Sequence, residues 1–183
     1  ISGLIMRHTI WKQAHSDPLT GLANRRAMMN YLRLAEQSFA KDGNGFALAL
    51  IDLNQFKQVN DNLGHDVGDR LLVEVADRLN QSSMAEEIVG RLGGDEFLIF
   101  IPDVTGHDHA LARATAYLSG FARPAHINGH VLTPSASVGI AVQSLDGKGA
   151  EQLLKAADSA LYEMKRAGKG AGKLAAPPIR HIG

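Results

Sequence analysis

The chain has 183 residues, 45% hydrophobic and 21% charged, with 19 basic side chains against 19 acidic ones and no cysteine. That length suits one domain able to bury its own core without disulfides, and the missing cysteines exclude a thiolate zinc site or a cysteine nucleophile and fit a reducing, cytoplasmic setting. Zero net charge argues against a polybasic nucleic-acid binder, and no run of about 18 apolar residues offers a membrane contact, so any anion site has to be local.

Residues 1–16 carry Leu4, Ile5, His8, Ile10 and Trp11 at helix-compatible spacing, and the first residue is not Met. We expect a helical connector from a missing upstream region, which leaves room for a membrane-anchored parent protein. Asp17-Pro18 marks the first boundary, because Pro cannot continue a helix ladder and Asp caps or turns, and residues 19–22 follow as a loop. Asn24 is a second cap, ahead of a helix with Met28, Tyr31, Leu32, Ala35 and Phe39 on one face. The continuous apolar run 46–51 predicts a strand buried on both faces and ended by Asp52. Residues 56–62 predict a short helix, and Asp66 or Gly68 opens a longer one bearing Leu71, Leu72, Val75, Ala76 and Leu79. Ile88-Val89 and residues 97–101 then predict a hairpin with a Gly-Gly turn. A helix over 108–121, strands over 130–133 and 136–142, and an amphipathic helix over 153–166 complete the set, before Gly, Ala and Pro from Gly168 onward predict an exit linker. This order predicts an α/β (α+β) sandwich of split-βαβ type, with a mixed, largely antiparallel central sheet flanked by helices.

Three clusters can carry chemistry. Asp52 at a strand end and Asp95-Glu96 at a hairpin tip approach each other if their strands are neighbours, and carboxylates so close need a cation. Mg²⁺ is the natural one, with Mn²⁺ as the alternative ion, because it takes one or two carboxylates and completes its shell with water and phosphates. Gly93-Gly94 leave room beside the acids, although a solvated turn would use the same residues. Asn60, Asp61, His65, Asp66 and Asp69 flank a turn; Asn and Asp suit the hydrogen-bonding edge of guanine, and they equally suit helix caps. Lys165 and Lys169, with Arg166, Lys173 and Lys57, would clamp a triphosphate or simply complement a helix dipole. The neutral total is a sum of opposed patches: residues 52–69 and 86–96 each carry −3, and residues 163–173 carry +3.

D-P-L-T-G-L-A-N-R-R at 17–26, I-D-L-N-Q-F-K-Q-V-N-D-N-L-G-H-D-V-G-D at 51–69, R-L-G-G-D-E-F at 91–97, S-V-G-I-A at 137–141 and A-D-S-A-L-Y-E-M-K at 157–165 together resemble the GGDEF family of diguanylate cyclases. The resemblance implies a polymerase-palm-like catalytic domain over 17–173, between the connector 1–16 and a linker 174–183. It implies condensation of two GTP into cyclic di-GMP, with release of two pyrophosphates, across a homodimer. By motif position, Asp52, Asp95, Glu96 and the Leu53 carbonyl would hold metal, with the three acids catalytic. Asn60 and Asp69 would read guanine. Lys57, Lys165, Lys169 and the backbone at Gln55 and Phe56 would hold phosphates, with Gly93 and Gly94 giving the nucleotide room. It further implies a fused upstream sensory domain, with a downstream phosphodiesterase domain as a further candidate. Met84 and Glu87 stand where many members carry an inhibitory Arg-x-x-Asp pair, and Met cannot make the bidentate bonds of Arg to phosphate, so that feedback site is expected to be absent. Lys169-Gly170 stands where Arg-Asn is commoner, and Asn54 where a second acid is frequent. The competing readings are a non-catalytic GTP-binding regulatory module and a polymerase-like palm, the latter disfavoured by the lack of a basic surface.

Overall fold

A computed structural model describes residues 14–43, 45–143, 149–167 and 174–175. Helix α1 (Arg25–Asp42) starts where Asn24 Oδ1 accepts the Ala27 N–H at 3.0 Å, and it stops at Gly43, whose φ of +73° lets its N–H turn back to the Phe39 carbonyl. The Asn24 amide also donates to the Ala14 carbonyl at 3.0 Å, so one side chain caps the helix and ties down the end of the connector.

The sheet comprises β1 (Ala23–Asn24), β2 (Phe46–Leu53), β3 (Ile88–Gly93), β4 (Glu96–Pro102), β7 (Ala136–Val142) and β8 (Leu174–Ala175), in the spatial order β1-β3-β4-β2-β7-β8. A separate hairpin joins β5 (Ala125–Ile127) to β6 (His130–Leu132). Strand β4 lies between β2 and β3 and antiparallel to both, and β2 lies between β4 and β7 in the same way, giving two split-βαβ units. Among the described residues, only the two-residue edge strands pair in parallel, β1 with β3 and β8 with β7.

Alternation along the strands sorts side chains onto two faces. Ala49, Ile51, Ile99, Phe97 and Val138 face helices α3 (His65–Ser82) and α4 (His107–Ser119), while Leu48, Leu50, Leu98 and Phe100 face α1 and α5 (Ala150–Arg166). Helix α2 (Phe56–Leu63) sits beside α3 on the first face. By parity Asp52 and Glu96 belong to the second face, under α5.

Several expectations shift. Strand β2 runs on through Asp52 to Leu53 rather than ending at Asp52, because both residues keep ladder partners on β7. The tight turn is Gly94-Asp95, closed by the Gly93–Glu96 pair, not Gly93-Gly94. Its first residue, Gly94, has φ +53°, which a side chain would strain. Helix α3 starts at His65 and α5 at Ala150, earlier than periodicity alone suggests, and a 3₁₀ turn over Gly120–Ala122 replaces the end of the helix expected to reach Phe121. Leu174–Ala175, expected in the exit linker, adds a short edge strand beside Val138 and Gly139.

At the far end of the sheet Glu87, with a side chain only 4% exposed, accepts two bonds from Arg113 and one from the Tyr117 hydroxyl, each 2.7 Å, as well as the Met84 N–H. Burial pushes the Glu87 carboxyl up, but the bonds from Arg113, Met84 and Tyr117 outweigh it and hold the group below its usual value of 4.5. A depressed carboxylate stabilises the fold above its unfolded pKa and loses that contribution as pH falls through the folded one. Glu87→Ala should therefore cost about 3 kcal/mol at neutral pH, since it strands a largely buried cation. Urea unfolding below pH 4.5 should show wild type and variant converging; an equal gap at every pH would remove the ion pair as the cause.

Candidate functional site

Seven residues of β2 pair with β4, and the register closes with Asp52 opposite Glu96. On its other side Asp52 faces Ser137 of β7. Asp95 occupies the adjoining turn, where its carbonyl accepts the Leu53 N–H at 3.2 Å, so the ends of β2 and of the hairpin are tied together. The three expected acids are thus brought to one corner. Burial, then the charge of Asp52, push the Asp95 carboxyl above its usual value; burial, then Asp52 and Asp95, do the same to Glu96.

The corner is braced from outside. Arg91 donates two bonds to the Gly94 carbonyl, at 3.0 and 2.7 Å, and reaches both carboxylate oxygens of Asp17 at 3.1 Å. Asp17 in turn accepts the Thr20 N–H and hydroxyl, so the loop at the domain entrance and the acidic turn form one unit. The lone sequence signal for Arg91 was its place in the motif; its pairing with Asp17 spans 74 residues and has no local signature.

Lys165, in the last turn of α5, bonds Asp52 Oδ1 at 2.5 Å. A cavity of about 430 Å³ lies there, lined by Asp52, Glu96, Asp158, Tyr162 and Lys165 among others. A second, of about 460 Å³, opens on the other side of Glu96 and Asp158 toward Arg25, Leu92 and Lys155. Asp158 and Tyr162 stood in the 157–165 motif with no role assigned to them, although Asp158 lies seven residues before Lys165, two helical turns away on the same face.

The polar cluster around Asn60 and Asp69 lies at the neighbouring junction. Gln55 takes the left-handed conformation, φ +60°, to swing the chain from β2 into α2. Asn60 Oδ1 is buried and has no hydrogen-bond partner. It packs against Gly68, where a Cβ would come within 1.9 Å of it, which sets Asn60 beside the residue preceding Asp69. Phe56 packs on the core, and Lys57 follows it at the start of α2, exposed. Lys169 lies outside the described residues. Asn54 accepts the Ser137 hydroxyl at 2.8 Å, while its Nδ2 is buried without a partner. Among the described residues no three Asp, Glu or His side chains form a ready-made metal cage, and no helix is long and apolar enough to cross a membrane.

A mixed sheet with acids at the ends of adjacent strands, under a helix that supplies a cation, suits handling of nucleotide phosphates. Comparison makes the class specific: the sequence model described as "Diguanylate cyclase, GGDEF domain" matches residues 14–171, and the chain belongs to the GGDEF family. It is 39% identical over 153 residues, 84% of this chain, to the bifunctional diguanylate cyclase/cyclic di-GMP phosphodiesterase MucR of Pseudomonas aeruginosa. It covers 22% of MucR, and 20% of the Bacillus subtilis signaling protein YkoW at 38% identity over 87% of this chain, so it spans about a fifth of those relatives. Among solved structures, the GGDEF domain of TpbB from Pseudomonas aeruginosa superposes with a TM-score of 0.84 at 31% identity, covering 90% of this chain and 95% of that one.

Proposed function

We propose that residues 17–173 form a diguanylate cyclase domain that condenses two GTP into cyclic di-GMP and releases two pyrophosphates across a symmetric homodimer. The observation that carries this is the Asp52–Glu96 cross-strand pair, with Asp95 in the adjoining turn and Lys165 above it, at the end of β2 from which α2 departs.

The donor set fits magnesium: hard carboxylate oxygens, of which those of Asp95 and Glu96 are pushed toward the protonated form by burial and then by the charge of Asp52. A cage of three is not required, since this ion takes one or two protein carboxylates and fills its octahedron with water and phosphate oxygens. Asp52, Asp95, Glu96 and the Leu53 carbonyl would share two such ions, which would supply charge neutralisation at the α-phosphate and favour ionisation of the attacking 3′-hydroxyl.

The remaining roles fall to the chain itself. Asn60 Oδ1, an acceptor lacking any partner, and the exposed Asp69 carboxylate suit the N1–H and N2–H₂ donors of guanine. Backbone N–H groups at the start of α2, with Lys57 there and Lys165 and Lys169 from the α5 end, suit the phosphates. Gly93 and Gly94 carry no side chain to obstruct a nucleotide lying along the hairpin. Each subunit would hold one GTP, and the two-fold symmetry of the product requires the second half-site to come from a partner. Residues 1–16 would connect to an upstream sensory domain, and residues 174–183 would be a linker toward a downstream phosphodiesterase domain, an activity that the name of MucR includes. The domain would act in the cytoplasm on GTP and would take no nucleic acid.

Incubation with GTP and Mg²⁺ should yield cyclic di-GMP, with activity per molecule rising as protein concentration rises through the dimerisation range. No product from a preparation shown to be dimeric would sink the assignment.

A further inference from the structure

Lys165 holds an unexpected partner for a phosphate ligand. Its ammonium lies 2.5 Å from Asp52 Oδ1, on a side chain 42% exposed, whereas the Asp52 side chain is 16% exposed. Its charge also reaches Asp95, where it opposes the effects of burial and of Asp52. One cation therefore sits against acids that would hold a divalent ion. The carbon stem of Lys165 is long and flexible, while the helix that bears it is seated so closely on β7 that a Cβ at Gly139 would meet the Ala157 carbonyl at 2.0 Å. Lys165 can change partner by rotating its side chain, with the helix backbone fixed.

We infer that Lys165 is the resident counter-ion of the acidic corner and exchanges partners on loading: it holds Asp52 until a divalent cation arrives with the phosphates of a nucleotide, then yields Asp52 to the cation and moves to those phosphates. This rests on the metal and nucleotide reading above and adds an order to it. A divalent ion alone must compete with a tethered ammonium for Asp52. An ion arriving with phosphates does not, because those phosphates give the displaced ammonium a new partner. Metal and nucleotide then assist each other beyond their direct contact, and the coupling must act equally in both directions.

The inference makes Lys165→Met act in opposite directions on the two ligands. Mn²⁺ alone, titrated into the full chain without nucleotide and followed by the spin-resonance signal of the free ion, should bind the variant about three- to tenfold tighter than wild type. Magnesium-loaded 3′-deoxy-GTP, which cannot cyclise, should bind it about tenfold more weakly, for loss of a charge-assisted bond. Lys165→Arg keeps a cation on Asp52 and should stay within about twofold of wild type for Mn²⁺. A lysine that served only the phosphates would leave Mn²⁺ affinity unchanged, and that result, or weaker binding by Lys165→Met, overturns the exchange. If only the exchange fails, wild type still binds Mn²⁺ in an Asp95-dependent way and makes cyclic di-GMP. Absence of Mn²⁺ binding in every form, with no product, overturns the exchange and the functional reading together.

Discussion

Glu96→Gln is expected to lower cyclic di-GMP formation by about a thousandfold, since Lewis-acid stabilisation is worth several kcal/mol and about 4 kcal/mol is that factor. The substitution preserves side-chain shape and the place opposite Asp52, so the loss would reflect one negative oxygen rather than a disturbed strand. Stability should move the other way. A carboxyl whose folded pKa lies above its unfolded one costs stability once pH rises past the unfolded value, and burial together with Asp52 and Asp95 puts Glu96 in that position. Glu96→Gln should therefore melt at the same temperature as wild type or higher at neutral pH, with any gain vanishing below the ordinary carboxylate value of 4.5. Asp52→Asn should be equally inactive but not more stable, because it also gives up the charge attraction to Lys165. Near-normal turnover by Glu96→Gln would remove this acid from the reaction.

Gly139→Val is expected to damage both stability and binding from outside the acidic corner. Valine suits a strand by propensity, yet a Cβ at 139 would lie 2.0 Å from the Ala157 carbonyl and 2.6 Å from the Leu161 amide, both backbone atoms of α5 that cannot rotate away. The helix has to lift, at a cost of about 3 kcal/mol as an overpacked core. Since α5 carries Asp158, Tyr162 and Lys165, nucleotide affinity should fall with stability, although none of those residues has changed. Denaturant unfolding with 3′-deoxy-GTP binding on the same sample checks both; a variant as stable as wild type would mean that β7 and α5 do not pack this closely.

The contrast between these two substitutions shows how the site was written into the chain. Asp95 and Glu96 stand after two glycines between apolar runs, so a turn with acids at its tip was legible from residues alone, as were α1 with its Asn24 cap and the buried strand through Ile51. The glycine of residues 137–141 was visible in a motif, but nothing nearby in the sequence said that a helix backbone would lie on it. Asn128-Gly129 was a strong hairpin signal that went unread: both residues have positive φ, +49° and +81°, and they join β5 to β6 through the mirror-image turn that suits twisted strands. Arg91 and Asp158 were missed for different reasons. Arg91 acts through a loop far behind it in the chain, whereas Asp158 was recoverable by stepping two turns back from Lys165.

By itself the sequence determined the local geometry: which side chains alternate inward, where glycine permits a turn, where a cap starts a helix. These follow from backbone sterics and from periods of two and 3.6 residues, which act over a few positions. It also determined the family, through ordered motifs that no single segment would carry. Only the tertiary structure decided that Asp52 faces Glu96, because that register exists only once β4 inserts between β2 and β3. Only the tertiary structure set Lys165 on Asp52 across 113 residues, because that contact depends on how closely α5 packs on the sheet. Charge counted along the chain showed opposed patches, and packing decided that one cation of the basic patch rests on the acids.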